Sequence, residues 1–180
     1  MRHFYILAWI LLYSPIHAGV YGDLEFGDSR DLVTKKLGQS VLIEQTIDET
    51  YNARTGLNGI YKCKSKIAGL ACWLYFNWDE QGGLNEITLR SESLDSNLYE
   101  TELKNAWRES SALFSRVYQK PKQQAPYPPL SSFKDHQMMI SHVWENNDKT
   151  NILIGTGMVK NQCFLFIRFI STQTNLSPQE

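Results

Sequence analysis

IYKCKSKIAGLACWLYFNWDEQGGLNEITLRS, residues 60–91, is the stretch on which the fold turns. In Ile60–Ile67, Lys62, Lys64 and Lys66 alternate with Tyr61, Cys63, Ser65 and Ile67, the period of two that marks a half-buried strand. Ala68-Gly69 supplies a turn. Leu70–Trp78 is apolar on both phases: Cys72, Leu74, Phe76 and Trp78 on one, Ala71, Trp73 and Tyr75 on the other. Asp79-Glu80-Gln81-Gly82-Gly83 reads as a hairpin loop whose glycines admit positive φ. Leu84–Ser91 alternates again, with Ile87 and Leu89 against Glu86, Thr88 and Arg90. Three strands joined by tight loops predict an antiparallel meander.

Before it, Gly27–Gly38 reads as a short helix. Asp28 or Ser29 can cap it, Asp31 and Lys35-Lys36 complement its dipole, and Gly38 is placed to take a left-handed turn at its end. Leu32, Val33 and Leu37 form one narrow apolar stripe that must lie on another element. Val41–Ile47 follows as a short strand and 48–59 as a loop.

After the meander, Asn97–Tyr118 is the longest helix, with Asn97 and Glu100 spaced as a capping box. Tyr99, Leu103, Ala106, Trp107, Ser110, Phe114 and Val117 recur at helical steps and predict its buried face. Lys120–Phe133 holds four of the six prolines and reads as an extended surface connection. Its Pro126-Tyr127-Pro128-Pro129 also fits the loose PxxP pattern of proline-groove ligands.

Gln137–Trp144, Asn151–Val159 and Gln162–Ser171 then form a second meander, turned at Asn146–Lys149 and Lys160-Asn161. Cys163, Leu165, Ile167 and Phe169 face one way, Phe164, Phe166 and Ile170 the other, so this last strand is central. Gly155-Thr156-Gly157 lacks the remainder of a phosphate loop and marks a place where another segment packs closely.

Residues 1–18 stand apart. A basic start, the ten-residue apolar run Phe4–Tyr13 and Ser14-Pro15-Ile16-His17-Ala18 have the layout of a secretory signal peptide cut after Ala18. An uncleaved anchor is the competing reading, although ten residues fall short of the roughly 20 that span a bilayer. No Cys follows the run to carry a lipid. A single globular domain over 19–172 and a flexible tail over 173–180 are therefore expected. Of 180 residues, 42% are hydrophobic and 21% charged, which argues against disorder. A net charge of −1 gives no global pull toward nucleic acid or anionic lipid.

Chemistry-bearing motifs are sparse. Three cysteines are too few for a disulfide scaffold. His136 and His142 are six residues apart, roughly 20 Å along a strand, too far to share a metal. His142 falls on a face with Met138, Ile140 and Trp144, as a core or edge histidine would. No metal or cofactor is expected. A small envelope hydrolase using His136, beside Asp135, or His142 is the enzymatic alternative.

If Ala68-Gly69 are the two turn residues, Lys64 opposes Trp73, Lys62 opposes Tyr75, and Cys63 opposes Leu74. Sliding the register by two sets Cys63 directly against Cys72, where a disulfide could close. Lysines over aromatic faces make Lys62, Lys64, Trp73 and Tyr75 a candidate docking surface. The alternative is that the long helix covers Trp73 and Tyr75 while the lysine heads reach solvent.

The segment Phe26–Gly38 resembles the opening helix of the BamE (SmpA/OmlA) family in Gly27, Ser29, Val33, Leu37 and Gly38, with Gly82-Gly83-Leu84 similar to its hairpin. The chain departs from that family in having no lipidated Cys, no Pro two residues after Gly38, and a second helix and meander. Its helix–strands–helix–strands order also resembles β-lactamase-inhibitor-like proteins, which use one small unit twice. The resemblance implies a bacterial envelope protein that binds other proteins. The resulting expectation is an α+β domain of antiparallel meanders with a long helix on one face. It would be periplasmic or secreted, and would bind another envelope protein.

Overall fold

The structure, a computed structural model, describes residues 20–46, 56–146 and 150–172. The signal-like segment, most of the 48–59 loop, Asn147–Lys149 and the 173–180 tail lie outside the described residues. The fold is α+β. Among the described residues two α-helices, α1 (Arg30–Gln39) and α2 (Lys104–Tyr118), accompany strands β1 (Ile43–Gln45), β2 (Tyr61–Cys63), β3 (Cys72–Trp78), β4 (Leu84–Ser91), β5 (Leu94–Asp95), β6 (Gln123–Gln124), β7 (Met138–Asn146), β8 (Thr150–Val159) and β9 (Gln162–Ser171). Among the described residues the strands form one antiparallel sheet ordered β1-β2-β3-β4-β9-β8-β7-β6, with β5 also on β9. No helix among these residues is long and apolar enough to cross a membrane.

Each helix precedes a meander, and the last strand of each meander pairs with the other. Ile87 faces Phe169, and Leu89 faces Ile167, across the β4–β9 joint. An antiparallel joint of this kind relates the halves by an approximate two-fold axis normal to the sheet. Such an axis keeps both helices on one face. One apolar cluster accordingly takes Val33 and Leu37 from α1, Ala106 from α2, and alternate residues such as Leu74, Ile87, Ile154 and Leu165 from the strands. The apolar side chains of the 20–26, 67–70 and 127–133 loops join that same cluster.

The helices differ from expectation at their ends. Ser29 caps α1 by accepting from the Leu32 amide at 3.4 Å, while the buried Asp28 holds Lys36 at 2.7 Å. Gly38 stays helical; the end closes two residues later, where the Ser40 amide donates to the Leu37 carbonyl. Leu32 lies off the buried stripe, 40% exposed.

Asn97 caps nothing. A 3-10 turn (Ser96–Leu98) and a π-turn (Tyr99–Leu103) lead into α2, and Tyr99 and Leu103 are both fully buried. Val117 is exposed because the seam advances four residues from Phe114, to Tyr118, whose ring stacks on it at 5.8 Å. The Trp107 indole donates to Ser141 Oγ at 2.7 Å and the Trp144 indole to the Gln119 carbonyl at 3.1 Å, fastening α2 to β7.

The proline-rich segment is committed to the fold. Tyr99 Oη donates to the Pro128 carbonyl at 2.6 Å, and Tyr127 Oη donates to the Tyr99 carbonyl at 2.8 Å. That engagement removes the 126–129 stretch as a free ligand for a proline-binding groove. Lys160 and Asn161 both take positive φ, as a tight two-residue hairpin requires.

Gly155 and Gly157 mark a close approach. Their cross-strand partners are Phe166 and Phe164, whose rings lie where a Cβ would stand, 2.4 Å away in both cases. At Gly155 the Met139 carbonyl is also 2.3 Å from that point, whereas at Gly157 the three nearest atoms all belong to the Phe164 ring. The two glycines therefore differ in what could yield. Gly157→Ala should cost about 1–3 kcal/mol in urea melts, and much less in a Phe164→Leu background, where the offending ring atoms are gone. Gly155→Ala should be at least as costly and should not be relieved by Phe166→Leu, because backbone blocks it. Equal coupling in the two cycles would contradict this packing.

Candidate functional site

The face of the sheet opposite the helices is the strongest candidate. Registers place its residues in rows running across the strands. One row reads Glu44, Lys62, Trp73, Arg90, Phe166, Gly155, Ile140. The next contains Tyr75, Thr88, Arg168, Leu153 and Val143. Phe164 and Phe166 are buried yet lie outside the helix-side core, flush on their glycines. Trp73 and Tyr75 are half-buried, and Met138 and Ile140 are exposed.

The three cations of these two rows are held differently. Lys62 Nζ lies 5.7 Å from the Trp73 ring centroid and 3.2 Å from Glu44. Arg168 forms a two-pronged pair with Glu86, its Nε donating to Oε1 at 2.9 Å. Arg90 has aromatic company instead: its guanidinium carbon sits 3.8 Å from the Phe164 centroid and 5.9 Å from that of Tyr75. Among the described residues Arg90 has no carboxylate partner. Of these three charges it is the one that no acid among the described residues neutralises.

The expected register is corrected here. Ala68-Gly69 does form the tight turn, both with positive φ, and Ile67 and Leu70 exchange backbone hydrogen bonds. Beyond it, however, Lys62 and not Lys64 faces Trp73. Two extra residues bulge on the Lys64–Lys66 side and slide the ladder by two. Lys64 is exposed, its amide donates to the Leu42 carbonyl, and it lies beyond the end of β2, whose register with β3 pairs Lys62 with Trp73. Tyr75 correspondingly loses Lys62 as its neighbour and keeps Arg90. The helix-cover reading for Trp73 and Tyr75 is also overturned, since both helices bury the opposite face.

Sequence reading missed Arg90, Arg168, Glu86, Phe164 and Phe166 as members of one surface. The signal was present as the polar phase of 84–91 and the second apolar phase of 162–171. Only the β4–β9 pairing unites them.

The structure places the two histidines in different settings. His136 is an exposed turn residue with positive φ, 3.5 Å from Asp135. Asp135 is held below the usual carboxylate range by the amides of Lys160 and His136 and by the neighbouring imidazole. His142 is buried on the helix side with Trp144, between the rings of Trp107 and Trp144 at 5.4 Å each. Met138 and Ile140 are on the other face, because a bulge between Ile140 and His142 reverses the alternation.

Ser141 Oγ donates to the Ile154 carbonyl at 3.1 Å and accepts from Trp107; His142 Nδ1 stands 3.0 Å from it. With the hydroxyl proton directed at a carbonyl, Nδ1–H serves as donor and cannot be the base for that serine. The clefts beside α1 and beside α2 contain neither histidine. No group of three His, Cys, Asp or Glu converges on a metal position among the described residues. Comparison with protein-family models, with characterised proteins and with solved structures returned no match.

Burial lowers the pKa of His142 below its ordinary value, so the folded protein keeps it neutral. Unfolded chains protonate it below about pH 6.5, and folded ones only at lower pH. Its contribution is therefore fully present above 6.5 and is lost as pH falls, with a slope of at most about 1.4 kcal/mol per pH unit. Urea melts between pH 7 and 5 should show this loss, and His142→Gln should flatten it. An unchanged slope in the variant would place the acid sensitivity elsewhere.

Proposed function

We propose that this chain is an exported, non-enzymatic binding protein of the bacterial envelope. In this reading it grips a carboxylate-bearing segment of a second protein on the sheet face opposite α1 and α2. The apolar run and Ala18 support export, and the family resemblance of the first helix supports an envelope setting. The observation that carries the docking reading is Arg90: a guanidinium stacked on Phe164, beside Trp73 and Tyr75, with no acid of its own. Arginine and aromatic residues clustered at the centre of a face are what interface hot spots favour. Ion pairing already satisfies Lys62 and Arg168, so they frame the site and Arg90 anchors the partner.

The test is site-directed photo-crosslinking in the native envelope, with the probe at Tyr75 on the sheet face or at Glu109 on α2. Crosslinks to one protein from Tyr75 and none from Glu109 are expected. The identified partner, purified, should bind roughly 30-fold more weakly, about 2 kcal/mol, to Arg90→Ala and Trp73→Ala variants whose melts are otherwise preserved. Crosslinking from the helix face instead, or full affinity in Arg90→Ala, would overturn this assignment.

A further inference from the structure

We propose that Cys63 and Cys72 are a cross-strand dithiol that closes to a disulfide joining β2 to β3, while Cys163 remains a thiol. Lys62 faces Trp73 in an antiparallel pair. One step along each strand therefore sets Cys63 opposite Cys72. Facing Cα atoms in antiparallel pairs are about 4.5 or 5.5 Å apart, and both spacings lie within the range a disulfide bridges. Alternation turns both side chains to the helix-side core, where Cys63 is 4% and Cys72 2% exposed. The bulge at Lys64–Lys66 is what creates this opposition; the uninterrupted hairpin would have set Leu74 against Cys63.

Cys163 has different neighbours. It lies on β9 between Leu94 of β5 and Met158 of β8, with no cysteine facing it. All three thiols are free in the structure, so the proposal concerns an oxidised form of the same fold. Tyr21 Oη touches Cys63 Sγ at 3.1 Å and closes that side of the pair. Burial also pushes the Cys72 thiol up to about 12, which disfavours its thiolate in the folded state. The bond must then form while β2 is still undocked, during folding or on opening of the β1–β2 edge.

The oxidant is a small-molecule disulfide such as oxidised glutathione. The thiolate of one cysteine attacks a glutathione sulfur, forming a mixed disulfide and releasing one glutathione thiolate. The second cysteine, also as thiolate, attacks the protein sulfur of that mixed disulfide and expels the second glutathione. Two protein thiols lose two protons and two electrons, and one glutathione disulfide becomes two thiols.

The purified chain, unfolded and reduced, should be refolded in a glutathione redox buffer, acid-quenched, alkylated and mapped by mass spectrometry. A Cys63–Cys72 linked peptide is expected, with Cys163 alkylated and the chain about 2 Da lighter. The oxidised form should melt about 5–10 °C above the reduced form, a gap that vanishes in the Cys63→Ala/Cys72→Ala double variant. Alkylation of all three cysteines after oxidative refolding, or a linkage that includes Cys163, would overturn the proposal.

Discussion

The antiparallel joint between β4 and β9 is the constraint on which the molecule depends. Neither meander could bury its own apolar face with one short helix. Pairing the final strands pools two thin layers into one core, with Ile87, Leu89, Ile167 and Phe169 at its seam. Each large aliphatic or aromatic side chain fully buried there is worth roughly 1.5–3 kcal/mol, and these offset the ordering of a long chain. The pair between Arg168 and Glu86 spans the joint on the opposite face and fixes its register.

The local elements of this fold were legible because they rest on short-range physics. Leu84–Ser91 and Gln162–Ser171 match their strands residue for residue, since alternation and turn chemistry bound them closely. Asp79 closes its hairpin by accepting from the Gln81 and Gly83 amides, as a turn aspartate should. The failures share a cause: a one- or two-residue irregularity reverses everything beyond it. The bulge at Lys64–Lys66 put Lys62 where Lys64 was expected, opposite Trp73, and the bulge at Ser141 sent His142 and Ile140 to opposite faces. The π-turn at Tyr99–Leu103 is a third case. Such irregularities are chosen by the packing they serve, and that packing involves residues far away in the chain.

The candidate site was half legible for a related reason. Trp73, Tyr75 and Lys62 could be grouped because one hairpin contains them. Arg90 and Phe164 come together only through strands brought side by side by the long-range joint. The sequence separation across it, 82 residues between Glu86 and Arg168, lies beyond any periodicity. Gly155 and Gly157 hinted at it, since a glycine in a strand centre signals that something approaches closely. What approaches is a pair of phenylalanine rings from the neighbouring strand, lying flat on the sheet.

That paving decides how the free face behaves. A sheet face turned away from α1 and α2 needs apolar surface to bury and a polar layer to meet water. Large rings seated on glycines bury themselves without standing proud, and Arg90 laid over Phe164 supplies the polar layer. A guanidinium on a ring keeps its full charge, because the ring's quadrupole attracts it without neutralising it. Lys62 and Arg168 would each have to give up an existing carboxylate before engaging another. Arg90 has none to surrender, so an incoming acid meets only its own desolvation and that of the guanidinium. The cation best placed to recognise a partner is thus the one whose position is fixed by aromatic stacking, at the middle of the face and over the joint that holds the two halves together.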